Sequence, residues 1–321
     1  MSSKKSTPGR PKSKQGNLPQ IVMGITLKPS SEDIIFEYRS YEPLCLKALF
    51  TSFKNGSLVF ICNPDSFSIC SKNVGLESNT YVEIDVRKAL RYYCNKPYIF
   101  SFDCSEAMAP ILTCNSSTTH ITFSINEARD ATFSLYDENI PLLEQKQIRP
   151  TIIYEEGITS PHMCEEYTFL YNSISDIRKS FDLKFNISTK SLKKLFENFL
   201  KESKVATIEK LPDSPLNFNT SMQPEGPKFK AILPKNDHIG LQTSHGFSAL
   251  ETITVSENIN VGDIKDCIKS FSDYNMAFYI MKDRGILLEF NVSNEDEKGA
   301  ILDTKSSVTA CILLKFYQMD S

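Results

Sequence analysis

Apolar residues recur at i, i+3, i+4 and i+7 in two places: Leu46, Leu49, Phe50 and Phe53, and again Leu192, Leu195, Phe196 and Phe199. That spacing puts each set on one side of a helix and predicts two amphipathic helices, each with a core-facing stripe. The two stretches lie a constant 146 residues apart, and Lys47 and Lys193 match as well. A second echo follows each copy, the triplet Pro64-Asp65-Ser66 and then Pro212-Asp213-Ser214. Solenoid and propeller repeats have periods of roughly 20 to 50 residues. A period this long indicates a duplicated domain. Chance pairing of common helix residues is the competing explanation, and two matches in the same order at nearly the same offset weaken it.

Between the helices, short alternating or apolar runs bounded by turn residues predict antiparallel strands. They cover residues 57–62, 66–71 and 80–86 after the first helix. After a shorter helix at Ser105–Thr113 they cover 119–125, 131–137 and 149–155. Residues 181–187 lead into the lysine-bearing helix, and 205–211, 215–221, 228–234, 239–244 and 250–256 follow it. A fourth helix begins at Val261 with residues 261, 264, 268 and 271 facing inward, and runs 275–281, 285–291 and 308–317 close the chain. Each half therefore reads as strand, helix, strands, repeated twice. This is an α+β chain of two similar domains, each with two helices against antiparallel sheets. The expected divisions are a basic tail at 1–31, a first domain at 32–155, a connector at 156–180 and a second domain at 181–321. A connector of that length exceeds an ordinary loop and implies a role.

Composition removes several function classes. Glycine is scarce, 12 in 321 residues against an average of about 7%, and no Gly-rich phosphate-binding pattern is present. The nine cysteines form no C-x-x-C pair, and the four histidines show no ligand spacing. Reduced core thiols are expected, with no metal site and no cofactor. No GxSxG elbow presents a serine nucleophile, and Glu295-Asp296-Glu297 reads as a solvated turn. Nothing argues for catalysis. No apolar run approaches the roughly 18 residues of a membrane span, and no signal peptide is evident, so a soluble intracellular protein without membrane contact is expected.

Charge is unevenly placed. The first 31 residues carry six bases and no acid, so against a net charge of -3 the remainder carries -9. Such a tail cannot bury enough apolar surface to order itself. Its Pro8-Gly9-Arg10-Pro11-Lys12 resembles an AT-hook, with Arg10 as the residue for a narrow minor groove; a localisation peptide or a solubilising tail are the alternatives. In the net-acidic body, Lys190, Lys193, Lys194, Lys201 and Lys204 fall opposite the apolar stripe of their helix, interrupted by Glu197. Lys265 and Lys269 do the same on the last helix, and Lys47 and Lys54 flank the first stripe. A gathered basic face offsets the repulsion of DNA by the body. A solvated helix face is the alternative.

The order of elements resembles the DNA sliding clamps of the PCNA family, and within it the asfarvirus-type viral proteins. The residues that carry the likeness are Phe185–Phe196 (FNISTKSLKKLF), Val205–Phe218 (VATIEKLPDSPLNF) and the basic PGRPK tail, and the pattern spans about residues 32 to 317. The resemblance implies two sliding-clamp domains, each holding two β-α-β-β-β units, and three subunits closing into a ring with helices on its inner wall. It further implies duplex DNA as ligand, with the lysines above facing it, and a DNA polymerase and other replication or repair proteins as partners. Such partners would dock on the connector through Met163, Phe169, Leu170, Ile174 and Ile177. The apolar strand residues Ile152, Ile153 and Tyr154 are expected to pair with residues 228–243 of a neighbouring subunit. The implied role is a non-catalytic viral processivity factor in a host cytoplasmic factory or nucleus. A clamp-fold viral transcription factor, acting as monomer or hetero-partner, is the alternative.

Overall fold

The computed structural model describes residues 24–51, 53, 57–73, 78–137, 144–160, 162, 165–220, 229–233, 239–269, 271, 274–282, 284–292 and 308–315. Four units of strand, helix and three strands follow one another. The first is β1 (Ile34–Ser40), α1 (Pro43–Phe50), β2 (Ser57–Asn63), β3 (Ser66–Asn73) and β4 (Ser78–Ile84). A short β5 (Arg91–Cys94) precedes the second: β6 (Tyr98–Asp103), α2 (Cys104–Leu112), β7 (Thr118–Asn126), β8 (Ala131–Asp137) and β9 (Glu144–Ile148). Strand β10 (Thr151–Glu155) and helix α3 (Glu165–Lys179) then lead to the second half. There the third unit is β11 (Leu183–Ser188), α4 (Thr189–Phe199), β12 (Val205–Lys210), β13 (Asn217–Thr220) and β14 (Lys230–Ile232). The fourth is β15 (Val255–Asn260), α5 (Val261–Cys267), β16 (Asn275–Met281), β17 (Gly285–Val292) and β18 (Val308–Leu314).

The strands form three antiparallel sheets, ordered β5-β1-β7-β8-β9, β14-β13-β12-β15, and a nine-stranded β10-β6-β2-β3-β4-β18-β17-β16-β11. The last is shared by both halves. Its junction is the pairing of β4 with β18, continuous from Ser78↔Leu314 to Ile84↔Val308. At the neighbouring ladder Gly285 has φ 136°, and a Cβ there would lie 2.2 Å from the Leu314 carbonyl oxygen, so glycine alone fits.

Local sequence explains the helices. Ser188 accepts from the Ser191 amide at 3.2 Å and starts α4, whose Leu192, Phe196 and Phe199 are fully buried. Leu195 packs partly buried against the same core. In the first half Leu46, Leu49, Phe50 and Phe53 are buried in the same manner. The Pro64-Asp65 turn joins β2 to β3, and the loop carrying Pro212-Asp213-Ser214 joins β12 to β13, so both echoes fall at the same point of their units. Phenylalanines fill the space between the sheets of the first half, with Phe60 5.8 Å from Phe123 and Phe123 4.9 Å from Phe133.

Some expectations shift. Residues 239–244 contribute one bridge, Lys184↔Gln242, rather than a strand. The strand expected at 250–256 begins at Val255, because Phe247–Leu250 form a single 3-10 turn. Strands β1, β5, β6 and β9 had no counterpart in the pattern reading, and the connector contains the fifteen-residue helix α3.

Candidate nucleic-acid interface

Helices α1 and α2 pack as one pair and α4 and α5 as another. On the second pair Lys190, Lys194, Lys201, Lys204 and Lys269 are exposed. Lys201 lies 3.3 Å from the Asn198 side-chain oxygen, and the half-buried Lys265 lies 3.7 Å from Glu197. The acids Glu197, Glu202 and Asp266 are exposed among these lysines, so the surface is basic in balance but not uniformly so.

Two of the sequence candidates point elsewhere. The Lys193 ammonium donates to the carbonyl oxygens of Lys269 and Phe271, each at 3.1 Å, just past the C-terminal end of α5. The Lys47 ammonium donates to the Cys114 carbonyl oxygen at 2.6 Å, just past the end of α2. Each lysine closes the end of the neighbouring helix, where unsatisfied carbonyls and the helix dipole favour a cation. Lys54 and Arg10 lie outside the described residues.

The α1/α2 surface has a different chemistry. Tyr41, Leu44 and Leu112 are 40%, 45% and 42% exposed. Asp103 caps α2 by accepting from the Ser105 and Glu106 amides, and a hydrogen bond from the Ser105 hydroxyl, with those from the two amides, holds its carboxyl below the usual range.

The connector helix crosses the outer face of the nine-stranded sheet. Ile174 and Ile177 are buried there against Val59, Tyr81, Tyr279, Leu287 and Cys311, and Leu170 is partly buried. They hold the helix down, whereas Phe169 is 67% exposed. Met163 lies outside the described residues. Arg178 fixes the other end of the helix, donating to Glu289 at 2.6 Å and to Glu83 at 3.0 Å. Beneath the N-terminal half of α3 lies a cavity of about 520 Å³, walled by Tyr81, Tyr98 and Tyr154 from the sheet and Tyr167 and Tyr171 from the helix. Arg178 escaped the sequence reading because nothing local distinguishes it; its partners are 95 and 111 residues away.

Ile152, Ile153 and Tyr154 lie half-buried on β10, at one edge of the nine-stranded sheet. A bulge interrupts the pairing of β10 with β6 between Ile152 and Tyr154. Among the described residues no group of three or more His, Cys, Asp or Glu side chains is placed to hold a metal ion, and Cys62, Cys70, Cys94, Cys104, Cys114, Cys267 and Cys311 are buried free thiols.

Four strand-helix-strand units, two helix pairs and a sheet running through both halves define the PCNA-type sliding-clamp fold. In keeping with this, the chain superposes on a crystal structure of proliferating cellular nuclear antigen from Entamoeba histolytica with a TM-score of 0.61, at 13% identity, covering 89% of this chain and all of the other. In sequence it is similar to an uncharacterized protein of African swine fever virus from a Malawi tick isolate, 24% identical over 267 residues, spanning 80% of this chain and 84% of the viral protein. The protein of a Kenyan pig isolate of that virus matches to the same extent. No protein-family model matches the chain.

Proposed function

We propose that this chain is one subunit of a viral ring clamp that encircles duplex DNA and tethers a polymerase to it, catalysing nothing itself. One observation carries the reading. Inside the chain, the last strand of the first unit, β4, pairs with the last strand of the fourth, β18. The strands at the same positions in the other two units are β14 and β9, and each lies at the outer edge of its sheet. Joining β9 of one copy to β14 of the next would fuse a five-stranded and a four-stranded sheet into nine strands, the same number as the sheet within the chain. Such a head-to-tail contact repeats, and it closes into a ring when the rotation permits.

On this reading the first-half side of the interface is β9, in place of the expected β10. The bulge at Ile153 disrupts the ladder of β10, a device that protects edge strands from pairing. Strand β14 lies within the 228–243 span already expected. Three subunits remain the expectation from the resemblance. Replication or repair proteins would dock on the exposed side of α3, and an intracellular site, a viral factory or the nucleus, suits a DNA tether.

The apolar α1/α2 surface favours a second reading, a clamp-fold transcription factor that acts as a monomer or with another protein. Solution mass and DNA retention separate the two. The clamp reading expects an oligomer that, once placed on circular DNA, survives a high-salt wash and leaves after the circle is cut. A proline at Lys146 in the middle of β9 should give monomers, while Ile153→Pro should leave the assembly intact. A monomeric wild-type protein whose retention is equally salt-sensitive on circular and linear DNA supports the second reading.

A further inference from the structure

We infer that each subunit holds DNA with one helix pair only: α4 and α5 bind phosphate, and α1 and α2 form a wall that duplex DNA does not engage. The inference rests on the clamp reading and concerns which half of the subunit does the binding.

The duplication allows the two helix pairs to be compared position by position. Helices α1 and α4 align through their shared stripe at the offset of 146. Helices α2 and α5 align through their caps, since Asp103 and Asn260 each accept from the amides two and three residues on. In that frame Lys190 and Lys194 correspond to Leu44 and Ala48, and Lys265 and Lys269 to Met108 and Leu112. Four lysines of one pair are thus four apolar residues in the other.

The buried positions behave differently. Val261, Ile264 and Ile268 correspond to Cys104, Ala107 and Ile111, and all six are buried. Lys193 corresponds to Lys47, and the carbonyl that each reaches, Phe271 or Cys114, corresponds as well. The lysine that holds the helix pair together is therefore present in both halves, and the four lysines aligned above are present in one.

Phosphate binding needs cations, because its free energy comes from releasing the counterions condensed on DNA. Leu44 and Leu112, 45% and 42% exposed, release none. Among the described residues the α1/α2 surface exposes Glu106 and Asp103. The Asp103 carboxyl is held below the usual range by hydrogen bonds from the Ser105 hydroxyl and the Glu106 and Ser105 amides and by the nearby Lys146. This surface therefore offers a polyanion less than the lysines of α4 and α5 do. In a ring, basic and apolar walls would alternate around the hole, giving one phosphate-binding sector per subunit.

A photocrosslinking amino acid placed in the full-length protein at Lys194, Lys269, Leu44 or Leu112 tests this on a circular duplex. Positions 194 and 269 should crosslink to DNA at least tenfold more than 44 and 112. The combined Lys190→Gln, Lys194→Gln and Lys269→Gln variant should lower the slope of log affinity against log salt by about 0.9 for each phosphate that is no longer neutralised. Leu44→Gln with Leu112→Gln should leave it unchanged. Equal crosslinking from both pairs overturns the division of labour while leaving the clamp reading standing. No crosslinking from any position, with no effect of the lysine changes, removes the clamp reading itself.

Discussion

Arg178 on α3 grips Glu83 on β4 with both terminal nitrogens, at 3.0 Å and 3.1 Å to one carboxylate oxygen. Its remaining nitrogen lies 2.6 Å from Glu289 on β17. One side chain of the connector thus joins the two halves of the nine-stranded sheet. Flanked by two carboxylates, the guanidinium is held even more firmly protonated than usual, despite its burial. Arg178→Met should strand two like charges and cost about 2–3 kcal/mol, the buried-pair penalty reduced for partial exposure. Arg178→Lys should recover little, because a single ammonium cannot reproduce the fork. Urea midpoints of the three proteins check both statements.

Lys47 and Lys193 should prove structural. Lys47→Met removes a charged hydrogen bond from the half-buried end of α2 and should cost about 2 kcal/mol. The salt dependence of DNA binding should not change with it. A flatter salt slope at full stability would instead return Lys47 to the set of phosphate-binding lysines.

On the connector, Phe169 and Ile174 should separate cleanly. Phe169→Asp alters an exposed ring and should leave thermal stability within about 0.5 kcal/mol of the parent, as for an ordinary surface change. Binding of a polymerase partner should be lost with it. Ile174→Ala empties a fully buried position and should cost about 2–5 kcal/mol. Calorimetry and a pull-down with the partner distinguish the two effects.

Glu42 gives a pH signature. Burial raises its carboxyl above the ordinary value, and Lys88 offsets this only in part. One carboxylate oxygen has no hydrogen-bond partner within the protein. The fold favours the protonated form, so the stability this group contributes is present in full below the ordinary carboxylate pKa and is lost as pH rises through the folded-state value. Glu42→Gln should therefore raise the melting temperature at pH 7, and the gain should vanish below about pH 4. Melting curves from pH 4 to 8 for both proteins measure it; a gain that persists at low pH would show that the amide acts through something other than charge.

Elements with a strong period can be read from the order of residues alone. The stripe from Leu192 to Phe199, the β16 run at 275–281 and the β8 run at 131–137 were legible because burial on one face imposes a periodicity of 3.6 or 2 on neighbouring residues. The duplication was legible for the same reason, since equivalent cores keep equivalent stripes. Short β5, the polar EQKQI of β9 and the mixed composition of α3 carry weak periods, and pairing partners far along the chain stabilise them instead. Which lysines face outward depends on long-range contacts. Lys193 and Lys194 are adjacent in sequence and alike in charge, yet one reaches carbonyls 76 and 78 residues away and the other is exposed. The same holds for Ile174, buried on the sheet, and Phe169, left in solvent five positions earlier. A residue's type fixes what it can bond to. Which groups the fold brings within reach depends on segments that no local pattern encodes.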